Sequence, residues 1–126
     1  NDHARHGAWA TPAGPARAAG SLLRAAYPDD TYSIGLFMGS GSIADNSRQI
    51  RQMIPAPEGG LEHALAGAGT AAGYLLLDGG RAARAWAERR FPYLRAGLAI
   101  DTLAPGREFD ALIYADRVSP AAYRLP

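Results

Sequence analysis

Polar and apolar residues alternate most clearly over residues 30–44, DTYSIGLFMGSGSIA. Tyr32, Ile34, Leu36 and Met38 fall on one face, and Thr31, Ser33, Gly35 and Phe37 on the other. That is the period-two pattern of a strand with one buried face. It predicts a strand over Thr31–Phe37. Gly39, Gly41 and the serines beside them then predict a glycine-rich turn, because glycine bends the backbone at little steric cost. In α/β sheets such strand-end loops are where ligands bind, which makes Ser40 a candidate substrate contact.

Upstream, Thr11-Pro12 predicts a helix entry, with Thr as N-cap and Pro in the first turn. Gly14 and Pro15 interrupt it and move the predicted helix to Ala16–Tyr27, where Ala18, Leu22, Leu23 and Ala26 share a face. Pro28 stops that helix, since proline disfavours a helical residue before it. Residues 45–57 fit two patterns. Ile50, Met53 and Ile54 have helical spacing, while Gln and Arg alternating with Ile and Met suit an edge strand ending at Pro55. Pro57–Ala68 predicts a short helix with Glu58 near its positive end, Leu61 and Leu65 inward, and Gly67 and Gly69 closing it.

Ala72–Asp78 reads as a short buried strand closed by Gly79-Gly80, and Arg81–Arg90 as a helix with Ala82, Ala85 and Trp86 on one side. Phe91–Ile100 fits no single pattern. Pro105-Gly106 marks a turn. Phe109–Ala115 is a final strand, apolar enough for a covered sheet position and ended by Ser119-Pro120. Helices alternate with strands, so the predicted fold class is α/β: a layered mixed sheet with flanking helices, Ala16–Tyr27 packed against it.

Composition narrows the functional classes. The 126 residues suit one domain, and 48% hydrophobic content suits a globular one. A net charge of +1 gives no reason to expect nucleic acid or a membrane surface as partner. All thirteen basic residues are Arg and they are scattered, which reads as compositional bias rather than as a phosphate site. With no Cys there are no disulfides, thiolate metal sites or Cys nucleophile. No signal segment opens the chain and no run approaches the roughly 18 apolar residues of a membrane span, so the cytoplasm is the expected location. The first residue is Asn rather than Met, from which an incomplete or processed chain is expected.

Candidate chemistry is sparse. His3 and His6 stand three apart, a spacing that on a helix places both imidazoles on one face. A metal would need a third ligand, and none is offered by motif, so no metal is expected. A single His acting as acid or base fits better, set against a solvated terminal His. Gly39-Ser40-Gly41-Ser42 matches neither G-x-S-x-G nor a phosphate loop, which needs a following Lys. Asp78, Asp110 and Asp116 lie at or near strand ends, where carboxylates orient a base or cap a turn. His63 reads as a surface residue, and Trp86 and Tyr93 as core or partner surface.

The order of these segments resembles the C-terminal part of the erythromycin esterase family. Asn1-Asp2-His3 matches the last three positions of that family's His-Asn-x-His motif. GSLLRAAYPDDTYSIGLFMGSGS is similar to its helix, turn and following strand. IPAPEGGLEHAL resembles its "PAPPGSLE" segment, with Gly60 in place of the usual Ser, and favours the strand reading of 45–57. FDALIYADRVSPAAY resembles its closing "FDALIYVDEVTPA" strand. The resemblance implies that 1–126 is the C-terminal portion of a larger domain, a metal-independent and cofactor-free hydrolase. Members open the lactone ester of macrolide antibiotics, a route to macrolide resistance. Only His3 is carried over as catalytic, a general base toward water, with Asn1 beside it and Ser40 as substrate contacts. The family's first motif His and its upstream His and Glu would precede residue 1. The implied partners are a small-molecule ester or lactone and the missing N-terminal half or another chain. The alternative is a non-catalytic binding or scaffold unit, a truncated relative.

Overall fold

A computed structural model of the chain describes residues 3–11, 13–45 and 47–120. Its elements in chain order are β1 (Ala8–Thr11), β2 (Gly14–Arg17), α1 (Ala19–Ala26), β3 (Ile34–Ala44), β4 (Ile50–Gln52) and α2 (Leu61–Ala66). They continue with β5 (Ala72–Leu76), α3 (Arg81–Ala87), β6 (Phe91–Arg95), β7 (Ala99–Leu103), α4 (Pro105–Glu108) and β8 (Ala111–Val118). The main sheet has the order β4-β3-β8-β5. Its central pair, β3 and β8, is parallel, and β4 and β5 flank it antiparallel. The predicted α/β class with a mixed sheet and flanking helices is what the chain forms.

The core lies on one face of this sheet. Gly35 pairs with Leu112 and Phe37 with Tyr114 across the parallel ladder. Over them pack Leu61 from α2, Ala87 from α3, Phe91 and Tyr93 from β6, Leu103 from β7, and Phe109. Phe37 meets the rings of Tyr93 and Phe109 edge to face, centroids 6.1 and 5.9 Å away, the arrangement aromatic quadrupoles favour. Gly35 makes this possible, since a Cβ there would press into both phenylalanine rings. α2 is the short helix expected within Pro57–Ala68, with Leu61 fully buried.

The opposite face is open. Ile34, Leu36, Ile113, Tyr74 and Leu76 are all between 41% and 77% exposed. They form a continuous patch, because Leu36 pairs with Ile113 and Ile113 with Tyr74. The buried face of the key strand is thus the one carrying Ser33, Gly35 and Phe37. Alternation separates two faces without saying which is inward, and here both carry apolar residues. The aromatic Phe37 and the small Gly35 seal the core side, leaving Ile34 and Leu36 outside. The same holds for β5, expected to be buried yet exposed along its length, with Leu77 just beyond it buried.

Other expectations change in specific ways. The Gly39–Ser42 stretch is no turn: β3 runs through it, with Ser40 opposite Arg117 and Gly41 opposite Val118. Its glycines permit close approach. Gly39 lies under the Tyr114 hydroxyl and the Asp116 backbone, and Gly41 (φ 120°) lies against the Val118 carbonyl. Thr11 caps no helix; its hydroxyl donates to the Gly14 carbonyl and accepts from the Ala13 amide, closing the β1–β2 hairpin. α1 starts only at Ala19. Its Leu22 and Leu23 are about half exposed rather than packed on the sheet. In α3 the buried side is Ala87 with part of Trp86, not Ala82 and Ala85. Residues 45–57 do contain an edge strand, Phe91–Ile100 opens a β6–β7 hairpin, and Pro105-Gly106 begins a single helical turn.

Gly41 supplies a direct check on this register. A Cβ there meets backbone at positive φ, so Gly41→Ala should cost roughly 2 kcal/mol or more in urea unfolding. Gly80→Ala, where a Cβ meets open space, should stay within about 0.5 kcal/mol.

Candidate functional site

The chemistry-bearing residues gather where the N-terminal segment crosses the start of the parallel strand pair. Residues 3–7 form turns and bends, not the helix that would align His3 and His6. Backbone bonds hold this segment in place. The Gly20 amide donates to the His3 carbonyl (2.8 Å), the Ser33 hydroxyl to the Ala4 carbonyl, and the His6 amide to the Glu108 carbonyl (2.9 Å). Arg5 is buried and grips Glu108 with two nitrogens, Nε to Oε2 at 2.9 Å and Nη2 to Oε1 at 2.8 Å. Glu108 Oε2 also accepts the Gly7 amide. Burial raises the Glu108 pKa, and the bonds from Arg5 and Gly7 outweigh that, leaving it below the usual carboxylate range.

Asp110 is the centre of the cluster. It leaves α4 just before β8 and takes Arg24 of α1 at 2.9 and 3.0 Å through one guanidinium nitrogen. Its Oδ2 accepts the Ser33 amide at 2.7 Å and lies 3.4 Å from His6 Nε2. Arg24 Nη1 also lies 3.3 Å from His6 Nε2. Arginine only donates, so that contact requires an unprotonated Nε2 and the neutral Nδ1–H tautomer. The electrostatics agree. Burial first, and then Arg24, hold the His6 pKa below its ordinary value, against Asp110 and Glu108, which raise it. Asp110 also lines a small cavity of about 220 Å³ with Tyr32, Leu77, Asp78 and Phe109.

The expected site residues separate. His3 is exposed and sits at the Ser33 end of β3. Ser40 lies on the same strand about 20 Å farther along at roughly 3.3 Å per residue. Its hydroxyl donates to the Asp116 carbonyl, and it lines a shallow cavity with Gln52 and Arg117. The two therefore do not share a cleft. Asn1 lies outside the described residues. His63 is exposed, as expected. Among the described residues no group of three or more His, Cys, Asp or Glu is placed to hold a metal. No helix among them is long and apolar enough to cross a membrane.

Sequence reasoning missed Arg5, Arg24 and Glu108 altogether, and saw His6 only as a neighbour of His3. It also missed Glu62, a carboxylate 1% exposed at the start of α2. Glu62 Oε1 accepts the Leu94 amide while Oε2 has no partner. Desolvation raises its pKa.

The comparisons with known proteins follow the fold. The sequence matches the family described as Erythromycin esterase over residues 1–118. No curated protein matches the chain. Two solved structures are similar. One, a protein from Bacillus cereus, aligns over 95% of this chain and 32% of its own, with 14% identity and a TM-score of 0.76. The other, a succinoglycan biosynthesis protein, aligns over 91% of this chain and 31% of its own, with 16% identity and a TM-score of 0.75. The chain thus spans about a third of the length of the structures it resembles.

These pKa shifts predict opposing pH effects on stability. The folded chain resists protonating His6, so acid below the ordinary histidine value of 6.5 favours the unfolded chain and stability falls. Glu108 adds a second loss: its contribution is complete above the ordinary 4.5 and disappears as pH drops through its lower folded value. Glu62 works in reverse, because its raised pKa costs stability as pH climbs above 4.5. Glu62→Gln should therefore raise the melting temperature at pH 7–8, with the gain vanishing near pH 4. Thermal melts from pH 4 to 8 read all three effects.

Proposed function

The chain belongs to the erythromycin esterase family, and we propose that it contributes to hydrolysis of a carboxylic ester or macrolide lactone through His3. The observation that carries this reading is the anchoring of residues 3–7. The backbone around His3 is bonded to α1, β3 and the Glu108–Asp110 turn, while its imidazole stays exposed. A side chain at the surface on a fixed backbone is what a general base needs: reach to substrate, with its position set beforehand. The imidazole takes a proton from water as the water adds to the ester carbonyl, and the imidazolium returns that proton to the departing alkoxide as the tetrahedral intermediate collapses to acid and alcohol. His6, Asp110 and Arg24 hold the segment, with the cavity beside Asp110 as the space for part of the substrate. No metal or cofactor enters this scheme, and its place would be the cytoplasm.

The site is built from one side only. The structures similar to this chain are about three times its length, and the open sheet face exposes Leu36, Ile113 and Tyr74. We infer that the remaining part of a family domain packs on that face and supplies the other site residues. The same open face favours the second reading, a non-catalytic unit that pairs with another chain.

Two measurements separate them. In a protein carrying the complete family domain, His3→Ala should lower kcat for macrolide lactone opening by roughly a hundredfold or more. His63→Ala should leave the rate unchanged. Full activity in His3→Ala would remove the hydrolytic role of that residue. The 126-residue chain alone should show no ester hydrolysis above background. It should also self-associate on size exclusion, and Leu36→Lys with Ile113→Lys should restore a monomer, since large exposed apolar faces drive association. A monodisperse unmodified chain would count against the covered-face reading.

A further inference from the structure

A separate cavity of about 250 Å³ lies between the N-terminal segment, β7 and α4, and shares no lining residue with the one beside Asp110. Its lining includes three arginines, Arg5, Arg90 and Arg107, and two acidic residues, Asp101 and Glu108. The carboxylates are already engaged. Glu108 is held by Arg5 and the Gly7 amide. Asp101 accepts the Thr102 amide and lies 3.9 Å from Arg95. The arginines are not all matched. Arg107 donates only Nε, to Glu88, leaving its two terminal nitrogens uncommitted among the described residues. Arg90 has no hydrogen-bond or ion-pair partner among the described residues.

We propose that this cavity binds a small oxyanion, a carboxylate or phosphate group of a compact solute. Arg90 is the principal ligand and the free end of Arg107 the second. Both arginines line one cavity, guanidinium groups suit the paired oxygens of such a group, and charge-assisted bonds of this kind are the strong ones. Arg5 adds positive potential while its Nε and Nη2 stay on Glu108. The cavity is smaller than the usual 300–1,000 Å³ ligand pocket, which limits the guest to a few heavy atoms around the anion. The proposal does not rest on ester hydrolysis, and its test reads binding without turnover.

The 126-residue chain carrying Leu36→Lys and Ile113→Lys, neither of which lines the cavity, is titrated with sodium phosphate and, separately, sodium succinate, sodium chloride holding ionic strength constant. The readout is ¹H–¹⁵N NMR of the backbone amides and arginine Nε groups. Saturating shifts are expected at Arg90 Nε and at the amides of Thr102, Leu103 and Ala104. Arg90→Ala should weaken the apparent Kd at least tenfold. Arg117→Ala, which removes an exposed arginine at the other end of the main sheet, should not change it. Tighter binding of one salt identifies the phosphate or the carboxylate as the preferred group. Shifts that stay linear for both salts, or equal weakening by the two variants, would overturn the site in favour of general charge screening.

Discussion

Asp110 is the constraint on which the rest of the structure depends. One carboxylate takes the Arg24 guanidinium, the Ser33 amide and a close approach from His6, and so joins α1, the start of β3 and the N-terminal segment. Its own backbone continues the work. The Asp110 amide donates to the Ser33 carbonyl, and the Asp110 carbonyl accepts the Leu77 amide from the end of β5. Its bonds to Arg24 and the Ser33 amide are charge-assisted, the stronger kind of hydrogen bond. No apolar side chain could replace it, because a methyl group would leave a backbone amide and an arginine without partners. The apolar core holds α2, α3 and the β6–β7 hairpin to the sheet; Asp110 holds what the core does not reach.

That division explains what was legible in the sequence. The strands were legible because period-two alternation and short apolar runs are local signals. Thr31–Phe37, Ala72–Asp78 and Phe109–Ala115 each overlap a strand of one sheet. The helices at 16–27, 57–68 and 81–90 were legible as existence but not as extent. Orientation was not legible. Both faces of Thr31–Phe37 carry apolar side chains, so alternation alone named neither as inward. Phe37 decided it by finding two aromatic partners far away in sequence, Tyr93 and Phe109. The hairpin at Ala8–Arg17 was hidden by Thr-Pro, a pair that serves equally as helix entry and as turn.

The candidate site was less legible, for the same reason in stronger form. Arg5 with Glu108, Arg24 with Asp110 and Ser33 with Asp110 join residues 77 to 103 positions apart. Nothing local in Arg24, one of thirteen scattered arginines, distinguishes it from a solvated residue. The resemblance reached His3 through a motif, yet gave no hint that His6 would be half-buried beside an aspartate with its pKa lowered. Glu62 was equally silent, since a glutamate at a helix start is ordinary and only burial makes it costly.

The two ends of β3 show why a general rule about sheets misdirected the search. Ligands gather beyond the carboxyl ends of parallel strands when each strand there gives way to a loop and a crossover helix. Here β3 keeps going. It passes through Gly39 and Gly41 and hands over to the antiparallel β4, so its carboxyl end is occupied by more sheet. The glycines that suggested a loop are there because β8 lies so close: Tyr114, Asp116 and Val118 leave no room for a Cβ. At the other end the parallel pair does stop. Ser33 and Asp110 begin their strands side by side, and the crossing N-terminal segment brings histidines, arginines and carboxylates together. Polar groups collect at that end because backbone amides and carbonyls there lack ladder partners and must be satisfied by something else. Asp110 satisfies the Ser33 amide there, and the same carboxylate draws in the Arg24 guanidinium and the His6 imidazole.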